Sequence, residues 1–116
     1  MADTDCLFCK IVAGDIPADV VLDDEACLAF RDIDPKAPTH VVVVPKAHHQ
    51  DLAALAAADP GLTARLVATC TEVAQAAGLP DSGYRIVFNT GAGGGQSVFH
   101  VHGHVLGGRR LTWPPG

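Results

Sequence analysis

The chain has few charged residues, and positive charge is the scarcer sign. Only 18% of its 116 residues are charged, and 8 Lys and Arg stand against 13 Asp and Glu, giving a formal net charge of -5. Proteins that track a nucleic-acid backbone need a surplus of basic residues. The composition therefore argues against a nucleic-acid polymer as partner, while a local cationic pocket for a small anion is still compatible with it.

Long apolar runs are also missing. No aliphatic run, the valines at residues 41–44 included, approaches the roughly 20 residues of a membrane-spanning helix. The N-terminal stretch, residues 1–5, contains two aspartates and no basic residue, and no apolar core of a secretory signal follows it. We therefore expect a cytoplasmic protein with no membrane partner. In that compartment its four cysteines are expected to be thiols or metal ligands rather than disulfides.

The sequence does contain enough apolar residues to form the core of one domain over residues 1–116, since 48% of the chain is hydrophobic. We predict helices over 6–13 and within 51–78, where Pro60 separates a short helix from a longer one. Strands are predicted over residues 20–22, 27–31, 39–44, 84–89 and 99–106. This grouping predicts an α+β domain whose antiparallel sheet is covered by helices on one face. The longer helix, from about Gly61, presents one apolar face formed by Leu62, Leu66, Cys70, Val73 and Ala77.

Three histidines alternate near the C-terminus. His100, His102 and His104 occupy every second position of the last predicted strand, so their imidazoles are expected to project from one face, about 7 Å apart. A shared function explains the alternation of these three histidines better than a chance occurrence of scattered core or surface histidines does. Neutral imidazole is both a metal ligand and a nucleophile. The row by itself therefore leaves a metal site and direct attack on a substrate open.

A glycine-rich segment, GAGGGQS over residues 91–97, lies just before the histidines. Its small residues allow backbone N–H groups to approach an anion, and Gln96 and Ser97 add polar side chains. A flexible connector is the alternative, but the adjoining histidines favour a phosphate-bearing substrate. No Gly-Lys-Ser/Thr sequence follows and no Asp-rich magnesium site accompanies the loop, so it is not the P-loop of a nucleoside triphosphatase.

The sequence HVHGHVL, residues 100–106, resembles the signature of the histidine-triad (HIT) family. Residues 28–32, 37–45, 95–97, 107–109 and the terminal Trp-Pro-Pro-Gly resemble its Hint branch, so that the likeness covers nearly the whole chain. The resemblance implies a HIT-like fold, with a five-stranded antiparallel sheet, a long helix and a short N-terminal helix. It also implies a homodimer that uses the long helix and Trp113. Gly103 departs from the larger residue usual in the family, and we expect it to leave local slack.

The resemblance implies cleavage of the P–N bond of purine nucleoside 5'-phosphoramidates without a catalytic cofactor. His102 would attack the α-phosphorus and form a transient nucleotidyl-histidine. His104 and Ser97 would assist at the phosphate and the leaving nitrogen, while His40 and His100 would support the triad. The implied nucleotide contacts are Asp32, Ile33, Asn89, Gly95, Gln96, Ser97, His102 and His104, with Phe8, Ile16 and Phe30 as apolar walls.

Cys6 and Cys9 have the spacing that lets two thiolates reach one metal, and His48 or His49 together with His100 can complete a tetrahedral site. Some bacterial relatives hold structural zinc in this way, and the resemblance makes His48 the preferred third ligand. Such zinc would have a structural role, orienting His100. A redox Cys-x-x-Cys is less favoured, because thioredoxin-like motifs follow a strand.

Two other functions stay open. The same nucleophile would also serve hydrolysis of dinucleoside polyphosphates, with a differently shaped leaving-group site. A nucleotide-binding scaffold without turnover is the alternative from a different class of protein. The intact set of His102, Ser97 and His40 argues against the scaffold.

Overall fold

The structure is a computed structural model that describes residues 5–116, so most of the acidic N-terminal stretch lies outside the described residues. In chain order its elements are α1 (Leu7–Val12), β1 (Val20–Asp23), β2 (Cys27–Arg31), β3 (Thr39–Pro45), α2 (Leu52–Ala58), α3 (Pro60–Ala76), β4 (Tyr84–Val87), a 3₁₀ turn (Ala92–Gly94) and β5 (Gly103–Gly107). The strands form one antiparallel sheet in the order β1-β2-β3-β5-β4. The predicted α+β fold with five antiparallel strands is confirmed. Among residues 5–116, no helix combines the length and apolarity needed to cross a bilayer.

Two aspartates start the helices that follow β3. The Asp51 side chain accepts the N–H of Ala54 at the start of α2, and that of Asp59 accepts the N–H of Leu62 at the start of α3. Side-chain oxygens at this position replace a missing backbone partner, and Pro60 suits the first helical position because its absent N–H is not needed there. The longer helix therefore begins at Pro60, just before the predicted start.

Helices cover both faces of the sheet, not one face as predicted. On one face, α2 and α3 pack against a strand core that includes Ala29 and Val43. On the other face, α1 packs Phe8 against Phe30 and Val42. Strands buried on both sides lose the alternation of polar and apolar residues, which is why residues 41–44 are all valine. The second face matters here because it carries the histidines.

The apolar face of α3 is largely as predicted. Leu66, Cys70 and Val73 are buried, and Leu62 packs against them from a partly buried position. Ala77 is exposed, because α3 ends at Ala76 and the chain leaves the sheet there.

The last strand is shorter than predicted, since β5 begins only at Gly103. The N–H of Val101 donates to the carbonyl of His49, outside the strand ladder. The carbonyl of His100 accepts a hydrogen bond from the ring of His102. Two backbone groups that a strand would pair with its neighbour are therefore used elsewhere. Only His104 lies in the strand, paired with Val42.

Gly103 leaves no slack, contrary to expectation. A Cβ at this position would lie 2.8 Å from the Sγ of Cys70 and 2.9 Å from the Cζ of Phe88. Both distances are shorter than van der Waals contact allows. The space beside Gly103 is filled by Cys70 of α3 and by Phe88, the residue after β4.

Candidate active site

A cleft of about 760 Å³ lies on the α1 face of the sheet. It brings together most of the side chains that the sequence predicted for a nucleotide site: Phe8, Ile16, Phe30, Asp32, Ile33, His40, Asn89, Gly95, Ser97, His102 and His104. Gln96 and His100 do not line it. The cleft runs across the strands, from Phe30 on β2 to Val87 on β4.

The imidazole of His102 has its tautomer fixed by the backbone. Its Nδ1 lies 2.8 Å from the carbonyl oxygen of His100, which can only accept, so Nδ1–H donates and Nε2 keeps its lone pair. The ring is buried, and burial lowers the pKa of His102 below its ordinary value. A neutral imidazole with a free Nε2 in a cleft is a competent nucleophile.

His40 and His104 form a second ordered pair. The backbone N–H of Lys36 donates to Nδ1 of His40 over 3.1 Å, which requires the His40 proton to be on Nε2. That Nε2–H points at Nδ1 of His104, 2.9 Å away. His104 must then carry its own proton on Nε2, at the ring edge away from His40. The cleft therefore contains one imidazole acceptor, on His102, and one imidazole donor, on His104.

Burial keeps this donor neutral. Burial is the main cause that lowers the pKa of His104 to about 4, and repulsion from His102 and His40 in their protonated forms lowers it further. The pKa of His40 is lowered by burial as well, against an opposing effect of Asp32. At neutral pH both rings therefore act as neutral hydrogen-bonding groups.

Asp32, His40 and His104 also meet the distance requirement of a metal site. The tautomers of the two histidine rings exclude a conventional metal site at this point. A metal at this point needs the lone pair of His40 Nε2, but the N–H of Lys36 occupies Nδ1 and leaves the proton on Nε2. The carboxylate Oδ2 of Asp32 lies 3.4 Å from the same Nε2 and reinforces that proton position. The cluster is a chain of hydrogen bonds.

The second cluster, Cys6, Cys9, His48 and His100, has the geometry of a metal site. Nδ1 of His100 lies 3.4 Å from Sγ of Cys6 and 3.5 Å from Sγ of Cys9. Nδ1 of His48 lies 3.4 Å from Sγ of Cys9 and 3.2 Å from Nδ1 of His100. Tetrahedral zinc with ordinary bond lengths separates sulfur from nitrogen by about 3.5 Å and two nitrogens by about 3.3 Å. The donors are therefore spaced as a single zinc ion requires.

The remaining nitrogen of His100 supports this interpretation. Its Nε2 donates to the carbonyl of Pro45 over 2.8 Å, so Nδ1 presents a lone pair to the cluster. A backbone carbonyl on the second ring nitrogen is the usual arrangement of a histidine metal ligand. His48 is the histidine that joins the cluster, as preferred from the sequence. His49 instead contributes its backbone carbonyl to Val101.

The apolar walls differ in exposure. Phe8 is buried, meets Phe30 edge-on with ring centroids 5.6 Å apart, and meets His102 edge-on at 4.9 Å. Ile33 is fully exposed at the rim. Phe8 therefore packs against the His102 ring as well as lining the cleft.

The glycine loop corrects one expectation about anion binding. The N–H groups of Gly94, Gly95 and Gln96 bond to carbonyls within the loop. The N–H of Gly91 bonds to Oε1 of Gln96. These donors are consumed by the turn itself and are not offered to a phosphate.

The side chain of Gln96, expected at the nucleotide, is buried under the loop. Its Nε2 donates to the carbonyls of Gln50 and Val98 at 2.8 and 3.0 Å. Both N–H groups of the amide and one lone pair of its oxygen are therefore occupied, so the amide has no donor left for a ligand. Gln96 holds the loop in shape, while the neighbouring Ser97 is exposed to the cleft.

Several residues that line the cleft had no role predicted from the sequence. Lys36 acts through its backbone, a function that no side-chain pattern can reveal. Arg85 and Arg109 also line the cleft. The segment 107–109 belonged to the family resemblance, which was the available signal for Arg109.

Comparisons with known proteins agree with this geometry. A model of the HIT domain matches residues 13–111. The chain is 48% identical to an uncharacterized HIT-like protein of Synechococcus elongatus over 97% of both chains. It is 46% identical to a 14 kDa zinc-binding protein of Zea mays, covering 98% of this chain and 90% of that one. Among solved structures, a HIT family hydrolase of Legionella pneumophila has a TM-score of 0.93 and 52% identity, over 97% of this chain and all of the other.

Proposed function

The chain belongs to the HIT domain family and has the fold of a HIT family hydrolase, and on that premise we propose that it cleaves the P–N bond of purine nucleoside 5'-phosphoramidates, as in the Hint branch. The observation that carries the proposal is the Nδ1–H of His102 bonded to the carbonyl of His100, which leaves Nε2 as a nucleophile in the cleft.

In the first step, Nε2 of His102 attacks the α-phosphorus, and the bond from phosphorus to the leaving nitrogen breaks. The leaving amine takes up a proton from solvent or from the donors at the site, Ser97 and the Nε2–H of His104. The ring of His102 becomes cationic on forming the nucleotidyl-histidine, and the carbonyl of His100 stabilises that charge through the retained Nδ1–H. Because this carbonyl is already in place, no reorganisation is needed.

In the second step, water attacks the same phosphorus and the bond to Nε2 breaks. The products are a nucleoside monophosphate and His102 in its starting tautomer, and the water proton passes to solvent or returns to the donor that protonated the amine. The cleft places Asp32 and the apolar walls on the β2 side of His102. We propose that Asp32 accepts hydrogen bonds from the ribose, that Phe8, Ile16, Phe30 and Ile33 surround the base, and that Asn89 and Gly95 border the phosphate.

We also propose that Cys6, Cys9, His48 and His100 hold a structural zinc ion, and a zinc-binding relative supports this assignment. When bound, zinc crosslinks α1 to the segment before β5. A reducing, cytoplasmic compartment would keep the two thiolates available as ligands. The hydrolytic steps above involve only side chains of the protein and water.

A homodimer is part of the proposal. Strand β4 lies at the edge of the sheet in the described chain, and Trp113 is 82% exposed. Both features fit burial against a second copy. Light scattering after gel filtration tests the dimer directly.

The function is tested with a fluorogenic adenosine phosphoramidate. We expect turnover by the wild type and a loss of roughly a thousandfold or more in His102→Ala, because the nucleophile is gone. His49→Ala is the matched control, since its ring belongs to neither cluster, and it should retain activity. Rapid quenching followed by peptide mass analysis should locate a nucleotidyl group on His102.

Parallel assays separate the alternatives. Faster turnover of a diadenosine polyphosphate would favour the polyphosphate hydrolase over the phosphoramidase. Tight nucleotide binding without turnover of either substrate would refute both enzymes and favour the scaffold.

A further inference from the structure

The side chain of Arg109 is hydrogen-bonded to the loop that contains Lys36, the residue whose N–H donates to the ring of His40. Its Nη2 and Nε donate to the carbonyl of Lys36 at 2.8 and 3.2 Å, and its Nη1 donates to the carbonyl of Arg110 at 3.0 Å. Arg109 follows β5, whereas Lys36 precedes β3, so the two bonds to Lys36 join segments 73 residues apart. An exposed arginine commonly pairs with a carboxylate, but this one has backbone carbonyls as its partners.

Lys36 connects this contact to the histidines. The residue whose carbonyl Arg109 holds is the same residue whose N–H donates to Nδ1 of His40. Fixing the carbonyl of a residue restricts its ψ and the plane of the following peptide, and so limits how the residue can tilt its own N–H away from the ring. The chain of contacts therefore runs from Arg109 to Lys36, to His40 and then to His104.

The N–H of Asp32 donates to the carbonyl of His40 and closes the loop at its base, and Arg109 adds a tie at Lys36, in the middle of the loop. Residues 32–38 include Pro35 and Pro38, which have no N–H to contribute to a ladder. Within the loop, the N–H of Asp34 bonds to Oδ1 of Asp32. At its end, the Cβ that Gly108 lacks would lie 2.9 Å from Pro38, so the chain around Arg109 packs closely on the loop.

We propose that Arg109 is a positioning residue that sets the tautomer of His40, and through it the Nε2–H donor of His104. The consequence for turnover rests on the proposed function, whereas the tautomer itself does not. With Arg109 in place, the N–H of Lys36 occupies Nδ1 of His40 and the proton stays on Nε2. Without it, the loop can turn that N–H away. The carboxylate of Asp32, 3.4 Å from Nε2, is then the remaining group that favours the proton there, and His40 can carry its proton on either nitrogen.

If His40 carries its proton on Nδ1, its Nε2 becomes an acceptor facing Nδ1 of His104. His104 then has to place its own proton on Nδ1 to keep the contact. That shift removes the donor from the cleft edge of the ring. The bond between the two rings survives in both arrangements, so overall folding is only slightly affected while the donor is lost.

The test is nitrogen NMR of the holoprotein labelled with ¹⁵N-histidine at neutral pH, with signals assigned from His40→Asn and His104→Asn variants. In the wild type we expect His40 to be protonated on Nε2 and unprotonated on Nδ1. In Arg109→Ala the two nitrogens of His40 should move toward each other in chemical shift, as a mixture of tautomers requires. Arg109→Lys, which retains a charge and a donor, should restore most of the wild-type pattern.

Two matched controls distinguish the mechanism from a general effect of charge. Arg110→Ala removes the neighbouring positive charge but leaves the bonds to Lys36, and it should not change the spectrum. Lys36→Ala removes the side chain but leaves the backbone N–H and carbonyl, and it should not change it either. An Arg109→Ala spectrum identical to that of the wild type, in a protein with unchanged circular dichroism, would overturn the proposal.

Turnover provides the second measurement. In Arg109→Ala we expect kcat for a phosphoramidate with a poorly leaving alkyl amine to fall roughly tenfold, with KM little changed, because a proton donor assists that departure most. An aryl amine should lose much less. If the tautomer shifts but the wild type shows no turnover, the proposed function fails and the positioning role stands. If turnover falls equally for both amines with no tautomer shift, the positioning role fails.

Discussion

The ring of His102 packs edge-on against the ring of Phe8, with centroids 4.9 Å apart and an interplanar angle of 86°. Phe8 belongs to α1, between Cys6 and Cys9 of the candidate zinc site. The helix that contains Cys9 and is capped by Cys6 therefore also supports one side of the proposed nucleophile. The carbonyl of His100, itself a residue of the metal cluster, fixes the tautomer of the same ring.

Truncation of Phe8 should affect both stability and turnover. Phe8→Ala opens a cavity beneath His102, and we expect a loss of about 3–5 kcal/mol in the free energy of unfolding, with a lower kcat in the fraction that folds. Leu7→Ala is the matched control, because Leu7 is adjacent and exposed. Urea denaturation measures the effect, and equal losses in the two variants would contradict this packing role.

Zinc content should follow the four ligands. We expect about one zinc per chain in protein purified without chelators, retained in His49→Ala and lost in Cys9→Ser and His48→Ala. Elemental analysis gives the stoichiometry, and chelation should lower the thermal unfolding midpoint of the wild type. Metal-free wild-type protein with an unchanged midpoint would count against a structural zinc.

Acid should destabilise the fold through His104. The folded pKa of this ring is about 4, below the ordinary value of 6.5, so the unfolded chain binds the proton more readily between these values. The contribution is complete above pH 6.5 and decreases as the pH falls toward 4, with a slope of at most about 1.4 kcal/mol per pH unit. The charged and titratable neighbours of this ring are His102, His40 and Asp32.

We expect His104→Asn to reduce the slope of unfolding free energy against pH in that window relative to the wild type, while the lowered pKa values of His100, His102 and His40 keep the rest of the slope. His49→Asn, outside the hydrogen-bonded chain, should leave the slope unchanged. Urea denaturation at several pH values provides both curves. A wild-type slope in His104→Asn would show that this ring is not the titrating group.

Gly103→Ala should be destabilising by about 1–3 kcal/mol, because its Cβ collides with Cys70 and Phe88. Gly93→Ala offers a control in the same part of the chain, since a Cβ there meets nothing within 4 Å. Denaturation midpoints of the two variants should differ clearly. Equal stability would mean that the space around Gly103 adapts at no cost.

Gln96→Glu should disturb the glycine loop. The new carboxylate keeps an acceptor for the N–H of Gly91 but faces the carbonyls of Gln50 and Val98 without donors, which we expect to cost about 1–3 kcal/mol. Gln50→Glu makes the same chemical change at an exposed position. Amide hydrogen exchange over residues 91–97 should accelerate only in the Gln96 variant.

Local sequence signals predicted most of the elements. The β-branched run of residues 41–44 and Pro60 each act on neighbouring residues, so the position of β3 and the start of the longer helix follow from them within a residue or two. The caps Asp51 and Asp59 were recognised only in the structure. The face covered by α1 was missed, because whether a six-residue helix docks on a sheet depends on Phe8 meeting Phe30, far away in sequence. The all-valine stretch of β3 contained the hint.

The features of the candidate site also divide into those that could be predicted from the sequence and those that could not. Some candidates could be recognised from the sequence because their chemistry is distinctive. These are the row of histidines, the Cys pair and Asp32. The late start of β5, after His102, and the burial of Gln96 could not be predicted, because both result from hydrogen bonds to distant backbone groups. Local propensity cannot anticipate such partners.

The sequence by itself determined which atoms are available: six histidines, four thiols, and a spacing that alternates three imidazoles with small or apolar residues. Only the tertiary structure decided what each imidazole does, because a ring nitrogen donates or accepts according to its partner. The carbonyls of His100 and Pro45 and the N–H of Lys36 assign the protons of His102, His100 and His40. Those backbone groups reach the rings only after the sheet and its loops have formed.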